Sequence, residues 1–155
     1  MALLAACGRS SATADAAVDA CIRAMDAAAT SDASAGERAA SIAAGCAALY
    51  AETECRKAHE AFGEGDPSQK ARLLTERCAH AYCDKLPSPK PALCSGVPVA
   101  GPSELALAWA ELRYSIWKRD LGEASAARLN EEVRRRSLRG ASSSTPPIGG
   151  GTGKP

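Results

Sequence analysis

The chain has 155 residues, a net charge of +1 and a hydrophobic content of 46%, with aromatic residues at only 4%. This length accommodates one domain with tails, and the balanced charge points to no class of charged partner. No apolar run of about 18 residues occurs, so we predict no membrane-spanning helix. Much of the apolar content is alanine, which buries little area. We therefore expect a thin core that gains stability from covalent cross-links.

Apolar spacing and capping signals predict three helices in the first half of the chain. The first covers 13–29, where apolar residues recur at the spacing of one helix face. The second covers 35–62 and begins with a capping box, in which the side chains of Ser34 and Glu37 accept hydrogen bonds from first-turn N–H groups. The third covers 67–85 and starts at a capping aspartate followed by a proline.

The remaining residues predict a connector, two more helices and a tail. Three prolines between 86 and 92 exclude a helix there and favour an extended path. The fourth helix covers 103–121 and the fifth covers 123–139, with Gly122 as the stop between them. Residues 140–155 are rich in Ser, Gly and Pro and bury too little apolar area to fold, so we predict a disordered tail.

The seven cysteines divide into six that can pair and one left over. Cys21 and Cys46 are nearly equidistant from the first turn, and Cys55 and Cys78 are nearly equidistant from the second. Residues equidistant from the turn face each other in an antiparallel hairpin. Cys46 and Cys55 would lie on opposite sides of the second helix, which suits one bond to each neighbouring helix. The last pair flanks the Pro-rich connector. The predicted bonds are Cys21–Cys46, Cys55–Cys78 and Cys83–Cys94.

These bonds complete the predicted fold of residues 13–139. It is all-α, a small disulfide-stapled bundle of antiparallel helical hairpins with a Pro-rich connector. The alternative is a reduced protein in which the free cysteines pack as small apolar core residues. We favour the disulfides, because the symmetry of two pairs about two turns would otherwise be coincidental.

Leu4-Ala5-Ala6-Cys7 resembles the lipobox of bacterial lipoproteins, and the polar residues from Gly8 resemble the tether that follows it. The resemblance implies that Cys7 is acylated and that residues 1–12 are a truncated signal, lipid-attachment site and tether. The charged and apolar regions of an export signal do not precede Cys7 here, so we expect the true start to lie upstream. In this family the absence of Asp at position 8 favours the outer membrane. If the motif is spurious, the protein stays in the cytoplasm.

The last two helices differ in the partners they predict. Apolar residues lie on two faces of the fourth helix, which favours one face packed within the domain and one against another element or a protein partner. The fifth helix is basic but has a narrow apolar stripe and mixed charge, so we interpret it as a solvated face and expect no nucleic-acid partner. The predicted interaction residues are Trp109, Trp117, Leu107 and Tyr114.

Motif searches predict no catalytic residue and no cofactor, because the familiar nucleotide-binding, metalloprotease and serine-hydrolase patterns do not occur. One group of side chains could instead bind a metal. Cys and His lie one helical turn apart on the second helix and face further Cys and His on the third. The candidate ligands are Cys55, His59, Cys78, His80 and Cys83, and we favour disulfide formation over metal binding by these cysteines.

These features predict a non-enzymatic, membrane-anchored lipoprotein that serves as an interaction or structural module in the bacterial cell envelope. Its partners would be the membrane, through the lipid anchor, and another protein. One alternative is an accessory component of an envelope transport system, because "CAHAYCDKLPSPKPALC" is similar to helical, cysteine-containing regions of biopolymer-transport proteins of the TolR type. A second alternative is a metal-binding or redox protein that uses the Cys55–Cys83 cluster.

Overall fold

A computed structural model describes residues 10–63 and 65–142 of the chain. This part of the protein contains helices and no strand, which confirms the predicted all-α fold. The α-helices are α1 (Ser11–Ala29), α2 (Ala35–Cys46), α3 (Thr53–Glu60), α4 (Pro67–Tyr82), α5 (Pro102–Leu121) and α6 (Glu123–Ser142). Short 3₁₀ turns cover Ala47–Leu49, Cys83–Lys85 and Ala92–Cys94.

Apart from the end of the second predicted helix, every helix end lies within three residues of its predicted position, and α4 ends at Tyr82 where 85 was predicted. α1 begins two residues early because the Ser10 side chain caps it, accepting from the Thr13 N–H at 3.4 Å. The capping box predicted at Ser34 is present, with Glu37 as its second member. α6 continues to Ser142, so the boundary predicted at 139 is too early. The rest of the predicted tail, and the predicted lipid-attachment site, lie outside the described residues.

The second predicted helix is two helices, which corrects the prediction for 35–62. α2 ends at Cys46, a 3₁₀ turn follows, and Tyr50 is extended, with φ −102° and ψ 128°. The break turns the chain so that Leu49 and Tyr50 both enter the core, where their exposed fractions are 0% and 1%. The argument that placed Cys46 and Cys55 on opposite faces of one helix is therefore wrong.

Helix α5 lies at the centre of the bundle. It packs against α1, α4 and α6 and also against the 3₁₀ turn that follows α2. Leu112, Ile116 and Trp117 bring the inner face of α5 into the core, where Val18 of α1 and Leu129 of α6 are also fully buried. The core is consequently a single cluster shared by both hairpins and the last two helices.

Small residues allow α1 and α2 to approach each other closely. A Cβ atom added at Gly45 would lie 2.3 Å from the Cβ of Ala24 on α1. The neighbouring Cys21–Cys46 bond joins the same two helices, with its Cα atoms 4.3 Å apart. Because the helix backbones come so close, little volume remains for large side chains between them, as expected for a chain this rich in alanine.

We predict that Gly45→Ala lowers the free energy of unfolding by about 1–3 kcal/mol, because the added methyl overpacks the contact with Ala24. Gly36→Ala is the matched control: Gly36 lies in the same helix, has open space around it, and should gain about 0.4–1 kcal/mol from lower entropy of the unfolded chain. Urea unfolding followed by circular dichroism measures both. Equal stability of the two variants would contradict the close approach of α1 and α2.

Candidate functional site

The three disulfide bonds of the structure have the connectivity that the sequence predicts. The first joins α1 to α2, the second joins α3 to α4, and the third joins the end of α4 to the Pro-rich connector. Their Cα–Cα distances are 4.3 Å for Cys21–Cys46, 4.5 Å for Cys55–Cys78 and 5.2 Å for Cys83–Cys94. The bonds therefore link both hairpins and the connector to the bundle.

The disulfides differ in their access to solvent. Cys55 and Cys78 are completely buried. Cys83 and Cys94 are half-buried and line an open groove of about 590 Å³ between α4 and the connector, with His80 at its side. A dissolved thiol can therefore reach the third bond more readily than the second.

A buried polar network joins α4 and α5 to the start of α3. The carboxylate of Asp120 accepts hydrogen bonds from the Tyr82 hydroxyl and, at 2.8 Å, from the Ala51 N–H. The Tyr82 hydroxyl in turn accepts from the Glu52 N–H at 3.0 Å. Both N–H groups belong to the entry of α3, where the helix itself supplies no acceptor for them. These two side chains therefore satisfy the backbone at the break between α2 and α3.

Charged side chains lie between this network and the protein surface. Arg119 places Nη1 2.7 Å from Asp120 Oδ1 and Nη2 3.8 Å from Glu52 Oε1, and Lys85 also pairs with Glu52. Burial, together with the hydrogen bond to Asp120, raises the pKa of Tyr82. The hydroxyl consequently stays protonated and can donate to the carboxylate. Every polar group named here has a partner within the protein, as a stable buried network requires.

This network was not predicted from the sequence. Asp120 lies between Trp117 and Leu121, which are both buried, and an acidic residue within the inner face of a helix is rarely buried without a partner. That position was the available signal. Nothing in the local sequence identified Tyr82 as the partner, since it lies 38 positions away on another helix.

We predict that Asp120→Ala lowers the free energy of unfolding by about 3–5 kcal/mol, because it leaves a buried hydroxyl and a backbone N–H without an acceptor. Asp84→Ala, which removes an exposed carboxylate at the end of α4, should stay within about 0.5 kcal/mol of the unmodified protein. Chemical denaturation with circular dichroism detection provides the comparison. If both variants lost the same stability, the network would not support the fold in this way.

A second buried group surrounds His59 on α3. Its ring stacks on Tyr50 with centroids 4.2 Å apart and lies 6.1 Å from the Trp109 ring. The side chain is 5% exposed, and neither ring nitrogen has a hydrogen-bond partner among residues 10–63 and 65–142. Together with the sulfurs of Cys55 and Cys78, a ring nitrogen of His59 forms a group whose atoms all lie within 4.8 Å of one another.

The surroundings of His59 keep its imidazole neutral. Burial and, secondarily, the positive charge of Arg113 lower the pKa of His59 from 6.5 to about 4. Arg113 is half-buried, with its guanidinium 4.8 Å from the Trp117 ring centroid. Its Nε has no hydrogen-bond partner, and it makes no ion pair with the carboxylates of the described residues.

The shift at His59 predicts a loss of stability in acid. Between pH 6.5 and about 4 the unfolded chain binds a proton at His59 that the folded protein does not. The free energy of unfolding is therefore unaffected by this group above pH 6.5 and falls as the pH drops through this range. The shift in the pKa of His59 corresponds to a decrease of about 3 kcal/mol in the free energy of unfolding. His59→Phe, which cannot be protonated, should lose less stability than the unmodified protein over this range. Urea unfolding at several pH values tests it, with the exposed His80→Phe as control. Identical pH profiles for His59→Phe and the unmodified protein would contradict it.

The metal-binding alternative is assembled only in part. Cys55, His59 and Cys78 come together as expected. Cys83 is bonded to Cys94 instead, and the His80 side chain is exposed at the surface. The five-residue set is therefore wrong in two of its members, because His80 lies on an exposed face of α4 and Cys83, in the turn after α4, pairs with the connector.

The predicted interaction residues on α5 separate into buried and accessible ones. Trp117 is 2% exposed and belongs to the core, so its prediction as an interface anchor is wrong. Leu107 is 74% exposed, the highest value among the large apolar side chains of the described residues. Trp109 and Tyr114 are half-buried, and Trp109 borders an open apolar groove of about 450 Å³ between α4 and α5.

The basic residues of α6 find acidic partners inside the protein. Arg128 pairs with Asp19 at 2.5 Å and Arg136 with Asp26 at 2.8 Å, both across to α1. Further arginines pair with glutamates one turn earlier on α6. Because most of these groups are exposed, the pairs contribute little to stability. They do reduce the positive charge that the helix presents to solvent.

No family model, curated protein or solved structure matches the chain. Across residues 10–63 and 65–142, no helix combines the length and the apolar character needed to cross a membrane.

Proposed function

We propose that this protein is a lipid-anchored module of the bacterial cell envelope that acts by binding another protein. The supporting observation is the set of three disulfides, which uses six of the seven cysteines and leaves Cys7. Disulfide bonds form and persist in oxidising compartments such as the periplasm. An exported protein whose remaining cysteine lies in a lipobox-like sequence fits acylation at that cysteine.

The distribution of polar groups supports binding rather than catalysis. The polar network around Asp120 and Tyr82 is buried, and these two side chains accept hydrogen bonds from the backbone at the start of α3. On α5 the accessible apolar surface occurs at two places, the exposed Leu107 and, on another face, the groove beside Trp109. Partly exposed aromatic side chains are typical of protein interfaces. We assign the partner to the groove beside Trp109.

The lipid anchor predicts a specific label at one residue. When the native host is grown with an alkyne-tagged fatty acid, we expect the unmodified protein to carry the tag and to sediment with membranes. Cys7→Ser should lose both the tag and the membrane association, because acyl chains provide the apolar area that holds such a protein on a bilayer. In-gel fluorescence and membrane fractionation measure the two effects.

Ser11→Ala is the control for this experiment, because it changes a nearby exposed serine and leaves both Cys7 and the Ser10 cap of α1 intact. A free-thiol count on the same samples should find no free thiol in the unmodified protein. A protein that carries no tag, or that has six or more reactive thiols, would refute the proposed anchor or the proposed compartment, respectively.

A further inference from the structure

We propose that the reduced form of this protein binds a single Cu⁺ ion through Cys55 Sγ, Cys78 Sγ and a ring nitrogen of His59. These atoms lie within 4.8 Å of one another and all three residues are buried. The inference concerns the interior of the α3–α4 hairpin. It goes beyond the envelope role and does not depend on the lipid anchor.

The position of His59 is the first argument for a ligand. A buried polar group without a hydrogen bond is destabilising, and nearly all such groups in folded proteins have a partner. Both ring nitrogens of His59 lack one among the described residues, although the side chain is 95% buried, being 5% exposed. The stacked Tyr50 holds the ring in this place. A metal bound beside the two sulfurs would give one of these nitrogens a partner.

The site forms in two steps: the disulfide is reduced, and the two thiol protons are then exchanged for Cu⁺. A dithiol supplies two electrons and two protons, opens the Cys55–Cys78 bond to two thiols, and leaves as a cyclic disulfide. A newly synthesised chain already has these two thiols and needs no reductant. Cu⁺ then displaces both thiol protons to solvent, forms two Cu–S bonds, and accepts the lone pair of one His59 nitrogen. No further oxidation or reduction takes place.

The number and type of ligands favour Cu⁺ over Zn²⁺. Thiolate is a soft ligand that selects Cu⁺ and Zn²⁺ over harder ions, and Zn²⁺ is almost always four-coordinate in structural sites. The described residues supply three ligands in this group, and the sulfurs are closed to solvent at 0% exposure. A fourth protein ligand or a water molecule therefore has no evident place. Three-coordinate Cu⁺ needs neither.

The required movement is small. Metal–sulfur and metal–nitrogen bonds of about 2.0–2.3 Å place ligand atoms up to roughly 4 Å apart. The two sulfurs would move apart once their bond is broken, and the imidazole would move inwards by about 1 Å. α3 is a short helix of eight residues, Thr53–Glu60, so we expect that it can adjust by this distance.

The proposal can be tested on the full chain with Cys7 changed to Ser, reduced anaerobically with dithiothreitol and freed of it. Cu⁺ is added in competition with bicinchoninate, whose copper complex is coloured. We expect one tightly bound equivalent in the reduced protein and none in the oxidised one. His59→Phe keeps the aromatic stacking and should weaken this equivalent by about tenfold or more. The exposed His80→Phe is the matched control and should bind as the parent does.

Two further measurements distinguish this site from the other thiols. Cys83→Ser with Cys94→Ser should retain the tight equivalent, whereas Cys55→Ser with Cys78→Ser should lose it. In ¹⁵N-labelled reduced protein, Cu⁺ should shift a ring nitrogen of His59 and leave His80 unchanged, a readout that needs no variant. Equal affinity of the His59→Phe and His80→Phe proteins, an unshifted His59, tighter binding of Zn²⁺, or a reduced chain that stays unfolded with Cu⁺ would each overturn the proposal.

Discussion

The hydrogen bonds that Asp120 and Tyr82 make to the backbone at Ala51 and Glu52 determine how the first half of the chain is arranged. Without these acceptors, the entry of α3 would present unsatisfied N–H groups to the interior. A continuous helix would be the simplest way to satisfy them. The side-chain acceptors remove that need, so the chain can turn after Cys46 and bury Tyr50. Through Asp120, the central helix α5 thereby helps to set the direction of the chain between α2 and α3.

The turn also creates the interior of the α3–α4 hairpin. It stacks Tyr50 on the ring of His59 and directs Cys55 towards Cys78, while Trp109 of α5 lies near the same imidazole. The buried network and the sulfur–imidazole group are therefore neighbours that depend on the same change in chain direction. A protein that keeps its second helix straight could not bring Tyr50 and His59 together in this way.

Covalent bonds and small residues replace the bulky side chains that this core lacks. The chain has one Phe and two Trp, so few large groups are available to fill space between helices. Close contacts such as that between Gly45 and Ala24 reduce the space to be filled. Each disulfide lowers the conformational entropy of the unfolded chain, which contributes about 2–4 kcal/mol in typical cases. This combination allows an alanine-rich chain to form a single shared core.

Local signals in the sequence determined the all-α class, most helix ends and all three disulfides. Capping at Ser34 and Asp66, the prolines of the connector and the stop at Gly122 act within one or two turns of chain and do not depend on distant residues. The disulfide pairs were predicted correctly although the reason given for Cys46 and Cys55 was wrong, because distance from a turn is preserved when a helix breaks beyond it. Only the tertiary structure decided the break itself, the burial of Trp117 and Asp120, and the separation of His80 and Cys83 from His59. Each of these depends on which face of one helix meets another. Periodicity identifies an apolar face, but the position of its neighbour is set by packing across the whole bundle.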